Sequence, residues 1–167
     1  MRSIHLAIPD IGAEYASADV ATVTDADYQL WTSFADYNGA VASDVRRVLD
    51  VIPTDDPEPY ADSAAQSADI MAGRFLVSRA HCVHPVWTVA ENVDFRIAHD
   101  VLGHHVLGAE FDRDGEIDVY RYSLLLVPPE FHRALFVESI GQLAYACVTG
   151  DFGEQKVYQS TYFGEVE

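Results

Sequence analysis

Between Val86 and Leu102 apolar residues return every three or four positions. Val86, Val89, Ala90, Val93, Ile97 and Val101 form the stripe, and Phe95, Ala98 and Leu102 widen it. A stripe of that period and width has to be buried against another layer, so this segment dictates a helix packed into a core. Pro85 marks its start and Gly103 its expected stop. A second stripe follows Pro128-Pro129 through Ala134, Leu135, Val137, Ile140, Leu143, Ala144 and Cys147, ending near Gly150. Two such helices, over 86–103 and 129–149, call for a mainly α fold.

The rest of the chain fits the same class. Thr24 or Asp25 caps a helix whose inner face is Tyr28, Trp31, Phe34 and Tyr37. Asn38-Gly39 reads as a break, followed by a further helix with Val41, Val45, Val48 and Leu49 on one face, stopping before Pro53. Thr54 to Pro59 is acidic and interrupted by prolines, hence an exposed loop. Residues 60–73 suit a helix, and Arg74 to Arg79 a short strand or a continuation. Glu110 to Asp118 reads as an acidic turn, and residues 117–127 are ambiguous between strand and helix. Residues 1–23 carry weak, mixed signals. The expectation is one compact domain over 1–167, with at most a short β-strand pair.

The chain has 167 residues and 49% hydrophobic content, enough for a single core. Its formal charge of −17 comes from 27 acidic against 10 basic residues, with Lys156 the one lysine. Such a surface repels phosphate backbones and anionic lipid, which argues against nucleic-acid and membrane partners. No apolar run is long enough for a bilayer. The N-terminal apolar stretch is cut short by Asp10 and Glu14, which argues against a signal peptide. Cys82 and Cys147 are too few and too far apart for a disulfide framework or a cysteine-rich zinc site, so a reducing, cytoplasmic setting is expected.

Chemistry concentrates at His99-Asp100-Val101-Leu102-Gly103-His104. Residues five apart on a regular α-helix sit about 140° apart around its axis, too far for one metal ion. If Gly103 ends the helix, His104 swings back toward His99. Glu138, 34 residues beyond His104, is the only charged residue between Ala134 and Gly150. A buried carboxylate needs a cation or several donors. Two His and one carboxylate form the set that holds non-haem Fe(II) on one face and leaves other positions open. The alternative for Glu138 is the wet stripe of an amphipathic helix, with Gln142, Tyr145 and Thr149. Asp100 points elsewhere than His99 and suits a catalytic or ligand-orienting role. His105, His81 and His84 are further imidazoles that could join the site, and Arg96 could pair with Asp100 or meet an anionic substrate.

The run His99 to His104 resembles the His-Glu-Leu-Leu-Gly-His motif of the pterin-dependent aromatic amino acid hydroxylases. That resemblance implies iron held by both histidines, with Glu138 as the third ligand from a later helix. Asp100 stands where that family has Glu, and this chain is much shorter, so pterin is carried over only as an analogy. The chain is also similar to uncharacterised proteins of phages and bacteria with three motifs in order. Here these are Phe95-Arg96-Ile97-Ala98-His99-Asp100-Val101-Leu102-Gly103-His104, Asp114-Gly115-Glu116, and Glu138-Ser139-Ile140-Gly141-Gln142.

The sequence therefore predicts a metal site between the helices at 86–103 and 129–149, with His99, His104 and Glu138 as ligands. The expected function is a mononuclear non-haem iron oxygenase or hydroxylase acting on a small molecule. Two alternatives stand beside it. One is a Zn(II) hydrolase with the same ligands and Asp100 as base. The other is a non-catalytic phage accessory protein.

Overall fold

A computed structural model describes residues 2–19 and 23–166. The fold is mainly α. In chain order it has α1 (Ile4–Ser17), α2 (Asp25–Val45), β1 (Asp50–Thr54), α3 (Ser63–Met71), β2 (Arg74–Ser78) and α4 (Val89–Ala98). Helix α4 runs directly into a π-helical segment, His99–His105. After it come α5 (Arg113–Leu126), a 3-10 turn (Pro129–Phe131), α6 (His132–Phe136), a second π segment (Val137–Gly141) and α7 (Gln142–Thr149). None of the described helices is long and apolar enough to cross a membrane.

Thr24 caps α2 through a capping box. Its hydroxyl accepts from the Asp27 N–H, and the Asp27 carboxylate accepts from the Thr24 backbone. Asn38-Gly39 does not break this helix. The Asn38 amide donates to the Phe34 carbonyl at 2.8 Å and stays buried inside it. What reads as two helices is therefore one, and Pro53 lies in β1 rather than beyond a helix end. β1 and β2 pair in parallel, Asp50 opposite Arg74 through Thr54 opposite Ser78, with α3 as the crossover. The short strand pair is thus present, and Pro53 is tolerated because each strand has one neighbour in the two-stranded sheet.

Helix α1 lies in a region of weak signals, with Pro9 inside it. Proline removes one helical hydrogen bond. Burial of Ile4, Ala7, Ile8, Ile11 and Tyr15 against α7 and its surroundings compensates. Residues 20–22 of that region lie outside the described residues.

Buried apolar side chains form two clusters. The larger joins α1, α2, α5, α6 and α7 around Trp31, Phe34, Ile117, Phe136 and Ile140. The smaller joins the end of α2, α3, β2 and α4 around Phe75, Val77, Val93 and Ile97. Helix α4 itself starts at Val89, because Thr88 caps it with Glu91 in a second capping box. Pro85 stays in the preceding loop.

Candidate metal centre

Gly103 does not end the helix that carries the histidines. The chain continues as a π-helix through His105, and Gly108 is the stop, with φ of +70° and its N–H on the His104 carbonyl at 2.8 Å. A π-helix bonds residue i to i+5, so positions five apart stack on one face. That is how His99 and His104 meet. Gly103 serves packing instead: a Cβ there would lie 2.5 Å from Val119 Cγ1 on α5. Its absence lets α5 press against the π segment, which brings Glu116 to the histidines. Gly103→Ala should therefore overpack this contact and cost about 1–3 kcal/mol. Chemical denaturation checks it; an unchanged midpoint would contradict the packing role.

Two imidazole nitrogens and both oxygens of one carboxylate converge there. His104 Nε2 is 3.2 Å from His99 Nε2. The Glu116 carboxylate spans both rings, 3.1 Å to His104 Nε2 and 3.2 Å to His99 Nε2. Bonds of about 2.1 Å to one ion place neighbouring ligands about 3.0 Å apart in an octahedron and about 3.4 Å apart in a tetrahedron. The nitrogen–nitrogen separation falls between these values, as do the two nitrogen–oxygen separations, one to each oxygen of Glu116. His104 Nδ1 donates to the Ala109 carbonyl at 3.1 Å. That bond fixes the tautomer and leaves Nε2 as the inward lone pair, the arrangement typical of a metal-bound imidazole. Asp100 joins the group, with a carboxylate oxygen among ligand atoms of His99, Asp100 and His104 that all lie within 4.8 Å.

The carboxylate and the imidazoles shift one another. Burial alone would raise the Glu116 carboxyl and lower the His104 imidazole. Their mutual attraction wins in both cases: Glu116, with His99 also beside it, is held well below the usual carboxylate range, and His104 is pushed up. Burial raises Asp100, with the two imidazoles opposing it. Without metal, the His104–Glu116 pair stabilises the fold at pH values above the ordinary carboxylate range. It does so fully below the ordinary imidazole value of about 6.5, and the imidazolium part is lost as pH rises through His104's raised value. Metal binding has the opposite slope, because the ion must displace that proton. Melting the chelated protein between mildly acidic and alkaline pH should give a falling Tm, and added metal should stabilise most at the alkaline end. Parallel pH profiles with and without metal would contradict this.

Glu138 lies elsewhere on the wall of the same cleft. Its Oε1 accepts from Trp31 Nε1 at 2.6 Å and from His84 Nε2 at 3.1 Å, and its Oε2 from Gln142 Nε2 at 2.8 Å. His84 Nδ1 accepts from the Val86 and Trp87 N–H groups, so the His84 proton sits on Nε2 and donates. The cost of burying this carboxylate is thus offset by three donors within the protein. Glu138 is only 4% exposed, so the wet-stripe alternative does not describe it. The sequence-predicted triad is in this way divided. The structure brings His99 and His104 together with Glu116 between them, and gives Glu138 a hydrogen-bonded setting of its own.

His105 and His84 are engaged elsewhere. His105 Nδ1 meets Ser67 Oγ at 2.8 Å, and His84 stacks on Trp87 with ring centres 4.5 Å apart. His81 lines the cleft with φ of +55°, a backbone conformation that is strained for histidine. Arg96 donates to the Ser78 and His81 carbonyls rather than to Asp100.

Glu116 is the carboxylate beside the two imidazoles that sequence reasoning passed over. The signal was present: Asp112 caps α5 by accepting from the Gly115 N–H, so the acidic turn is in fact a helix start. Compared with protein-family models, curated proteins and solved structures, the chain gives no match.

Proposed function

We propose that His99, His104 and Glu116 hold a single Fe(II) ion, and that the protein is a mononuclear non-haem iron oxygenase or hydroxylase acting on a small molecule in a cytoplasmic setting. The observation that carries this reading is the three-way convergence of His99 Nε2, His104 Nε2 and Glu116 at 3.1–3.2 Å. Two imidazoles and one carboxylate on one face are the ligand set of iron oxygenases, and they leave open positions for oxygen and substrate. A cleft of about 530 Å³ opens on these residues, within the range of small-molecule sites. The ion would supply oxygen activation. The protein would supply orientation through the Ala109 carbonyl and a carboxyl at Asp100 close enough to hold or take a proton.

A second reading rests on Asp100. A carboxyl within reach of the same ligand atoms suits a general base, and two His with one Glu also bind Zn(II) in hydrolases, where the bound water ionises near neutral pH. Anaerobic loading with Fe(II), followed by oxygen-consumption measurements, separates the two. Oxygen uptake by the iron form, lost in a folded His99→Ala variant, is the expected result. Tight zinc without oxygen uptake would move the assignment to hydrolysis. A folded protein with affinity for neither metal would leave the non-catalytic reading.

A further inference from the structure

Ring contacts run without a break from one proposed metal ligand to the protein surface. The His99 imidazole lies 5.9 Å, centre to centre, from Phe95, and Phe95 lies 5.5 Å from Trp87. Trp87 lies 6.0 Å from Phe34, which stacks on Tyr37 at 6.3 Å. Aromatic rings at these separations pack against one another. Indole and phenol give up one electron far more readily than benzene rings or neutral imidazole, so the path has two oxidisable stations. Trp87 is the inner one, 5% exposed. Tyr37 is the outer one, its hydroxyl donating to the Leu126 carbonyl at the surface. Trp87 Nε1–H donates to the Trp31 carbonyl at 2.8 Å, and a carbonyl does not keep a proton. An oxidised Trp87 therefore stays a radical cation, which is a strong enough oxidant to take an electron from a phenol. Trp31 is the competing indole. Its N–H is held by Glu138, but the Arg133 guanidinium lies 5.6 Å from its ring centre and opposes positive charge there.

Resting on the iron reading above, we infer that Trp87 and Tyr37 carry an oxidising equivalent from the metal site to solvent when no substrate consumes it. The oxidant is hydrogen peroxide meeting the bound iron. Peroxide becomes two waters by taking two electrons and two protons. One electron comes from Fe(II) and the other from Tyr37 by way of Trp87. Tyr37 releases its phenolic proton to water, and solvent supplies the protons that peroxide needs. A thiol in solution then returns one electron to the iron, and one electron with a proton to Tyr37. The path spares the ligands and the cleft wall from oxidation.

In one experiment the Fe(II)-loaded protein is mixed with hydrogen peroxide, freeze-quenched and read by electron paramagnetic resonance. A tyrosyl radical is expected, lost in Tyr37→Phe and in Trp87→Phe. Peptide mass spectrometry should then find more oxidation at His99 and Phe95 in both variants than in the parent chain. A second experiment needs no metal. Azide radicals made by pulse radiolysis oxidise tryptophan in the metal-free protein, and transfer from Tyr37 appears as decay of the indole radical absorbance with matching growth of the tyrosyl one. That growth should be independent of protein concentration and lost in Tyr37→Phe. Tyr37→Phe removes a single surface hydroxyl, so it decides the test even if Trp87→Phe does not fold. A tyrosyl signal unchanged in Tyr37→Phe, or one lost in Trp31→Phe and kept in Trp87→Phe, would overturn the inference. Radiolytic transfer in a protein that retains no iron would place the failure in the metal site and not in the Trp87–Tyr37 pair.

Discussion

Glu116→Gln should abolish binding of the proposed metal ion while leaving a folded chain. The side chain keeps its size and loses its charge, and it sits 3.1 and 3.2 Å from the two imidazoles proposed as the other ligands. Loss of a partner that merely orients a ligand lowers metal affinity roughly 10–100-fold. Loss of the carboxylate itself should exceed that. The fold should survive, because Glu116 lies in the first turn of α5 and its side chain is 28% exposed. Chelator competition with Zn(II), beside circular dichroism, reads both halves. Near-normal metal affinity in Glu116→Gln would remove Glu116 from the ligand set and leave Asp100 as the carboxylate grouped with the two imidazoles.

Glu138→Leu has the other large effect, and it falls on stability. Removing this carboxylate strands the Trp31 indole N–H, the His84 Nε2–H and one Gln142 amide hydrogen in the interior. Breaking a buried, hydrogen-bonded pair from one side costs about 3–5 kcal/mol. In a domain of this size that lowers Tm by roughly 6–20 °C. Glu138→Gln keeps an acceptor and should lose less. In whichever of the two variants remains folded, metal affinity should stay near that of the parent chain. Thermal melts and the same competition assay give the answer; a stable Glu138→Leu protein with no metal affinity would reverse the roles of the two glutamates.

These two glutamates show where the sequence was legible and where it was not. The periodic stripes of 86–102 and 134–147 give two central helices, and the histidine pair follows from residue type alone. The boundaries do not follow. Gly103 carries the signature of a helix stop, yet its missing side chain serves the contact with Val119, a reason that exists only in three dimensions. The π-helix is likewise unreadable from period: it changes which residues share a face without changing composition. Asn38-Gly39 misleads for a related cause, since the Asn38 amide satisfies itself on the Phe34 carbonyl within α2.

Glu138 stood out as the lone charge in an apolar helix, and it is indeed buried. Its three donors come from α2, the loop before α4, and α7, so no local pattern announces them. Glu116 was hidden by its company. Asp112, Asp114 and Asp118 around it make the segment read as a solvated turn, although Asp112 is a helix cap and Ile117 beside Glu116 is fully buried. A cap followed by one buried apolar residue is a weak signal among so many acids.

Both π segments carry a residue of this account, His99 and His104 in one and Glu138 in the other. Such segments often mark functional sites, because the wider turn re-aims side chains at some cost in regularity. Here the first aligns two imidazoles that an α-helix would separate. The second presents Glu138 to Trp31 and His84.

The most direct test is the metal content of the parent chain after anaerobic incubation with Fe(II) and removal of unbound ion, with its X-ray absorption spectrum recorded. The account predicts about one iron per chain, bound by nitrogen and oxygen ligands that include two imidazoles at roughly 2.1 Å. A folded protein that retains no iron, or iron whose spectrum lacks imidazole, would contradict it.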